Sequence, residues 1–169
     1  VDVVATTGAT LTHDLGEALG YRHYQGSSEA DDSELYKRGF DRIYESYMPN
    51  KIYERMEDFI AENFENLKDK KSIKEFLWEI GRLTPKKSIL KACFENKIPI
   101  FCPAISDSGI GLMIWGQLAK GKSIETRAFG DLKEIIDIAW TAKKTGVIYF
   151  GGGVPKNYIQ QAMQFSKSA

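Results

Sequence analysis

The stretch Ile98-Pro99-Ile100-Phe101-Cys102-Pro103-Ala104-Ile105-Ser106-Asp107-Ser108-Gly109 passes from an apolar run into a polar loop. The helical pattern of Ile110, Met113, Ile114 and Leu118 follows. A run that is apolar at nearly every position suits a strand covered on both faces, as in the middle of a parallel sheet. The same unit recurs on either side. Val1 to Thr6 leads through a glycine turn to Thr10-Leu11-Thr12-His13-Asp14-Leu15, where a threonine can cap a helix carrying Leu15, Ala18 and Leu19. Val147-Ile148-Tyr149-Phe150 leads through Gly151-Gly152-Gly153 to Pro155, placed at a first helical position, and then to Ile159, Ala162 and Met163. Repeated strand, loop and helix predict an α/β fold with a parallel sheet.

Between the first and second strands the pattern is a long, mostly helical insertion. Ile52, Met56, Phe59, Ile60 and Phe64 form one stripe, and Ile73, Phe76, Leu77 and Ile80 another. Thr84-Pro85 predicts a cap and first-turn proline for a helix ending near Asn96, and Asp131 to Lys143 predicts a further helix. The polar stretch Gly26 to Glu34 reads as a surface loop. Trp78, Trp115 and Trp140 lie in apolar stripes and are expected in the core. With no repeat and no internal linker, residues 1–169 read as one α/β domain. Because an apolar strand begins at the first residue, that domain is expected to be part of a longer one.

Composition narrows the partners. The 169 residues hold 23 Lys+Arg and 23 Asp+Glu, with 43% hydrophobic residues, and no block of like charge. That balance offers nothing to a phosphate backbone or an anionic membrane, so neither nucleic acid nor membrane is an expected partner. No apolar run approaches the roughly 18 residues of a spanning helix, and a cytoplasmic location is the expectation. Cys93 and Cys102 form no disulfide framework or metal spacing and read as small buried residues.

Ligands of open α/β sheets collect at the carboxyl ends of strands. Gly151-Gly152-Gly153 either cradles a phosphate or simply turns the chain, since it is not a G-x-G-x-x-G fingerprint. Asp107 either accepts hydrogen bonds from a ligand or caps a helix. Asp14 suits a helix first turn and His13 a partly exposed position, while His23 lies apart with no serine or cysteine motif around it. No nucleophilic triad is indicated.

Four ordered strings resemble deoxyhypusine synthase and its archaeal and bacterial relatives. They are Thr6-Thr7-Gly8-Ala9 with Asp14-Leu15; Gly39-Phe40-Asp41-Arg42-Ile43 with Pro49, Tyr53 and Glu57-Asp58-Phe59; Pro103-Ala104-Ile105-Ser106-Asp107; and Thr145-Gly146 with Gly151-Gly152-Gly153-Val154-Pro155-Lys156. The resemblance implies a Rossmann-like sheet flanked by helices and a homotetramer with active sites at dimer interfaces. It also implies an enzyme that oxidises spermidine with NAD and carries the aminobutyl group as an imine on a lysine. The acceptor would be a lysine of a translation initiation factor. It places Thr6, Thr7, Gly8, His13, Asp107, Ser108, Gly151 and Gly152 at the cofactor.

The chain also departs from the family on the substrate side. Leu112 stands where polyamine-using relatives hold an ammonium with an aspartate, Asn157 stands where they have a histidine, and His13 replaces an acidic residue. The family's Schiff-base lysine, in a Trp-Gly-Lys segment beyond the glycine loop, is not matched by Lys156. These departures leave two expectations: an enzyme acting on spermidine or a related amine, inactive as this chain alone, or a catalytically silent paralogue or subunit.

Overall fold

A computed structural model describes residues 1–167. The elements in order are β1 (Val4–Ala5), α1 (Gly8–Ala18), β2 (Tyr24–Gln25), α2 (Asp32–Lys37), β3 (Phe40–Ile43), β4 (Ser46–Pro49), α3 (Lys51–Leu67), α4 (Ile73–Leu83), α5 (Ile89–Glu95), β5 (Ile100–Phe101), α6 (Gly109–Ala119), α7 (Ala128–Thr141) and α8 (Val154–Met163). β1 and β5 pair in parallel, Val4 opposite Ile100 and Ala5 opposite Phe101. The Val4 N–H donates to Pro99 O and the Thr6 N–H to Phe101 O, both at 2.9 Å.

Successive side chains of a strand face opposite ways, and each face of this pair is covered by helices. Val4 and Ile100 join a large core with Leu11, Leu15, Ile52, Met56, Ile60, Leu77 and Leu90. Val3, Ala5 and Phe101 face a second cluster formed by α7 and α8, with Ile135, Ala139 and Ala162 buried in it. Both apolar stripes of the insertion are buried as their spacing predicts, on α3 and α4. Cys93 and Cys102 are buried free thiols, each pushed up to about 11 chiefly by burial.

The insertion is not only helical. It also holds a three-stranded antiparallel sheet in the order β2-β4-β3, whose four-residue strands β3 and β4 turn at Tyr44, held at φ 52°. Alternation over so few residues is too short a signal to separate from loop, which is why the helical reading passed over it.

Other expectations give way to local chemistry. Thr7 rather than a later threonine caps α1, its side chain accepting from the Thr10 N–H. Thr84 ends α4 instead of starting α5: its hydroxyl donates to Ile80 O at 2.7 Å, while Ser88 supplies the α5 cap. Asp14 lies well inside α1 and accepts the N–H groups of Ile89 and Leu90 at 2.8 and 3.1 Å, so it caps α5 from a neighbouring helix. Burial pushes its carboxyl up, and those two bonds oppose the shift. Trp78 is half-buried and donates its indole N–H to Ile98 O, but Trp115 and Trp140 are exposed on α6 and α7.

The largest difference is at Val147–Phe150. It is neither a buried strand nor paired among the described residues, and Ile148 and Phe150 are 80% and 97% exposed. An apolar run becomes a strand only when a neighbour takes its N–H and C=O groups. Val1, too, is exposed and lies outside β1, which spans only Val4–Ala5.

α4 and α5 meet closely at Gly81, where a Cβ would stand 2.3 Å from Leu90 O and 2.7 Å from its carbonyl carbon. Overpacking costs about 1–3 kcal/mol, more than the roughly 0.5–1 kcal/mol that alanine gains over glycine inside a helix. Gly81→Ala is therefore expected to lower the urea midpoint, because the obstructing atoms are backbone and cannot rotate away. A midpoint at or above that of the parent would show that the two helices are not in contact there.

Candidate functional site

The parallel register brings the loops after β1 and β5 together. α1 and α6 start next to each other at the carboxyl edge of the pair, and only glycine fits where they meet. A Cβ on Gly8 would lie 2.4 Å from Ser108 Cβ, and one on Gly109 would lie 2.6 Å from Thr12 Cγ2. Thr6, Thr7, Gly8, Asp107 and Ser108 therefore form one patch.

Within it, two hydroxyls are committed to structure. Thr7 Oγ1 accepts the Thr10 N–H at 3.0 Å, and Ser108 Oγ donates to Ile105 O at 2.6 Å while accepting the Gly111 N–H at 3.1 Å. What remains for a ligand is the first N–H groups of two adjacent helices, which have no intrahelical acceptor and carry the positive ends of two dipoles. Asp107 completes the patch. Its carboxylate is exposed and takes no hydrogen bond or ion pair among the described residues, so Ser108 rather than Asp107 is the helix cap. Backbone donors for a phosphate beside a free carboxylate for hydroxyl groups are the polar requirements of a dinucleotide.

The glycine loop stands apart from this patch. Gly151 and Gly153 have φ of 78° and 84°, which glycine adopts without strain, and nothing lies within 4 Å of where a Cβ would sit on Gly151, Gly152 or Gly153. Its link to the sheet is α8, whose Tyr158 ring lies 6.3 Å from that of Phe101, the last residue of β5. Asn157 is exposed near the start of α8. Leu112 is 62% exposed and lines an apolar groove of about 440 Å³ between α4 and α6 with Phe76, Ile110, Trp115 and Leu118. No carboxylate lines that groove.

His13 also lies outside the patch, in a constellation that no spacing announced. His23 Nδ1–H donates to Glu17 Oε1 at 2.8 Å, and His23 Nε2 lies 2.8 Å from His13 Nδ1. Glu17 is one turn beyond His13 on α1. His23 is folded back against both after Gly20, whose φ of 107° makes the reversal possible. His23, which stands alone in the sequence, is thus the centre of a three-residue chain. Burial, followed by the charge of His23, pushes the His13 imidazole below its ordinary value, and the bond from His23 holds the Glu17 carboxyl below its own. His13 and His23 border a small hollow with Asp41, Ser46 and Tyr53.

Among the described residues no helix is long and apolar enough to cross a membrane, and no group of three or more His, Cys, Asp or Glu side chains is placed to hold a metal ion.

The family described as deoxyhypusine synthase matches residues 1–169. A probable deoxyhypusine synthase 1 from Methanosarcina acetivorans is 42% identical over 165 residues, covering 96% of this chain and 52% of that protein. A probable deoxyhypusine synthase 2 from Archaeoglobus fulgidus is 43% identical over 164 residues, covering 95% of this chain and 54% of its own. A deoxyhypusine synthase-like protein from Coxiella burnetii is 34% identical over 173 residues, covering 96% and 49%. The chain spans about half the length of these relatives, and across that span it belongs to the deoxyhypusine synthase family.

Proposed function

We propose that the protein uses NAD to oxidise spermidine or a related amine and transfers the aminobutyl group to a lysine of a translation initiation factor. The observation that carries this reading is the pairing of the α1 and α6 N-termini beside an unpartnered Asp107. The N–H groups opening the two helices would hold the pyrophosphate, and Asp107 would accept from ribose hydroxyls. Gly8 and Gly109 keep side chains out of the space between the helices. Gly151 and Gly152 would let the other end of the cofactor approach backbone. NAD, when bound, supplies a hydride acceptor, and the chain's own residues bind and orient it. The relatives' names support the transferase class. The reading takes the protein to act in the cytoplasm, as a homotetramer with active sites at dimer interfaces.

A hydrogen bond to a charged group contributes about 1.5–3 kcal/mol, so Asp107→Ala is expected to weaken NAD binding to the full-length protein roughly ten- to hundred-fold. Calorimetry showing equal affinity in mutant and parent would remove Asp107 from the cofactor site.

The second reading, a silent paralogue that lends sheet and interface to an active partner, is favoured by Leu112. An exposed leucine in a groove without carboxylates cannot compensate a substrate cation. Spermidine-dependent NADH formation separates the two. Turnover of spermidine is the outcome the transferase reading expects, whereas intact NAD binding with no NADH at saturating spermidine would support the silent paralogue.

A further inference from the structure

The hollow beside His13 is about 30 Å³, roughly twice the 10–15 Å³ that one water needs. It is large enough for an ammonium head and too small for a phosphate. Its polar lining comes from His13 and His23 at α1 and the loop after it, Asp41 on β3, Ser46 on β4 and Tyr53 on α3. No hydrogen bond joins the side chains of Asp41, Ser46 or Tyr53 to any other described residue. The neighbouring cation is already committed: Arg42 makes two bonds to Asp32, at 2.7 and 3.1 Å, and a third to Tyr44 O. Asp41 is left without a counter-charge.

The relay decides what His13 presents. Glu17 accepts from His23 Nδ1–H, so in the neutral pair His23 Nε2 is an acceptor and His13 Nδ1–H is its donor. The proton of His13 is thereby fixed on Nδ1, and Nε2 keeps its lone pair. The partly buried ring resists a second proton.

We propose that this hollow is an ammonium-binding site, in which Asp41 supplies the opposing charge and His13 Nε2, Tyr53 Oη and Ser46 Oγ accept the ammonium's N–H bonds. Three donors of an –NH3⁺ head meet these acceptors with no competing cation. The site gives the amine of the proposed reaction a charged anchor that the groove at Leu112 lacks. It rests on that reading only for the expectation that the natural ligand is an amine.

The test uses n-butylamine as probe and n-butanol as its uncharged isostere, followed by NMR on the full-length protein. Butylamine is expected to shift the His13 ring nitrogens and the amides of Asp41 and Ser46, while butanol leaves them in place. Its affinity falls as acidification protonates His13. Glu17, His23, Asp41 and Tyr53 are the titratable groups facing that ring, and none of them replaces the lost lone pair. Asp41→Asn, nearly isosteric, lowers the affinity at least five-fold. Glu17→Gln loosens the Nδ1–H tautomer, visible in the ring nitrogen shifts, and weakens binding with it. Equal shifts with butanol, an affinity flat across the His13 titration, or full affinity in Asp41→Asn would each overturn the proposal. The first two need no variant and stand even if Asp41→Asn fails to fold. NAD binding depends on Asp107 and not on this hollow, so failure of either reading leaves the other measurable.

Discussion

Two backbone hydrogen bonds, from Val4 N–H to Pro99 O and from Thr6 N–H to Phe101 O, set the register on which the rest of the chain depends. They align the carboxyl ends of β1 and β5, and that alignment places the first turns of α1 and α6 side by side. Strands of two residues each cannot hold such an alignment by themselves. It persists because both faces are buried, Ile100 in one cluster and Phe101 in the other. The contacts of Gly8 with Ser108 and of Gly109 with Thr12 then lock the two helix starts together, so the geometry of the patch between them and the stability of the sheet are one constraint.

Much of this was legible. The apolar runs that give way at Thr6-Thr7-Gly8 and at Ser106-Asp107-Ser108-Gly109 mark strands that feed helices at a carboxyl edge, and the stripes of α3 and α4 are buried as their period requires. What escaped was set by partners distant in sequence. Asp14 looks like a first-turn residue, and only the packing of α5 against α1 shows that its carboxylate serves Ile89 and Leu90. His23 gives no signal at all, because its role exists only once Gly20 turns the chain back onto α1. The Trp115 stripe misled for the opposite reason: α6 is apolar on several sides, so periodicity could not say which face is covered.

Val147–Phe150 shows the same limit at the level of the sheet. Apolar composition states that a segment needs cover, but hydrogen-bonding neighbours decide whether it becomes a strand. Ile148 and Phe150 stand exposed ahead of the glycine loop, and Val154, which opens α8 after that loop, is exposed as well. Gly151 and Gly153 have a conformational reason to be glycine, whereas Gly152 is required neither by a positive φ nor by any neighbour within 4 Å.

Charge placement separates the patch at the helix starts from the hollow at His13. The patch at the helix starts offers backbone donors and a single exposed carboxylate, Asp107. The hollow at His13 is built from acceptors, one of them an imidazole kept neutral by burial and held in one tautomer by Glu17 through His23. His13 therefore does not leave this side of the molecule without negative charge. Glu17 carries that charge one turn along α1, and the relay sets beside it a lone pair on His13 that acid can switch off.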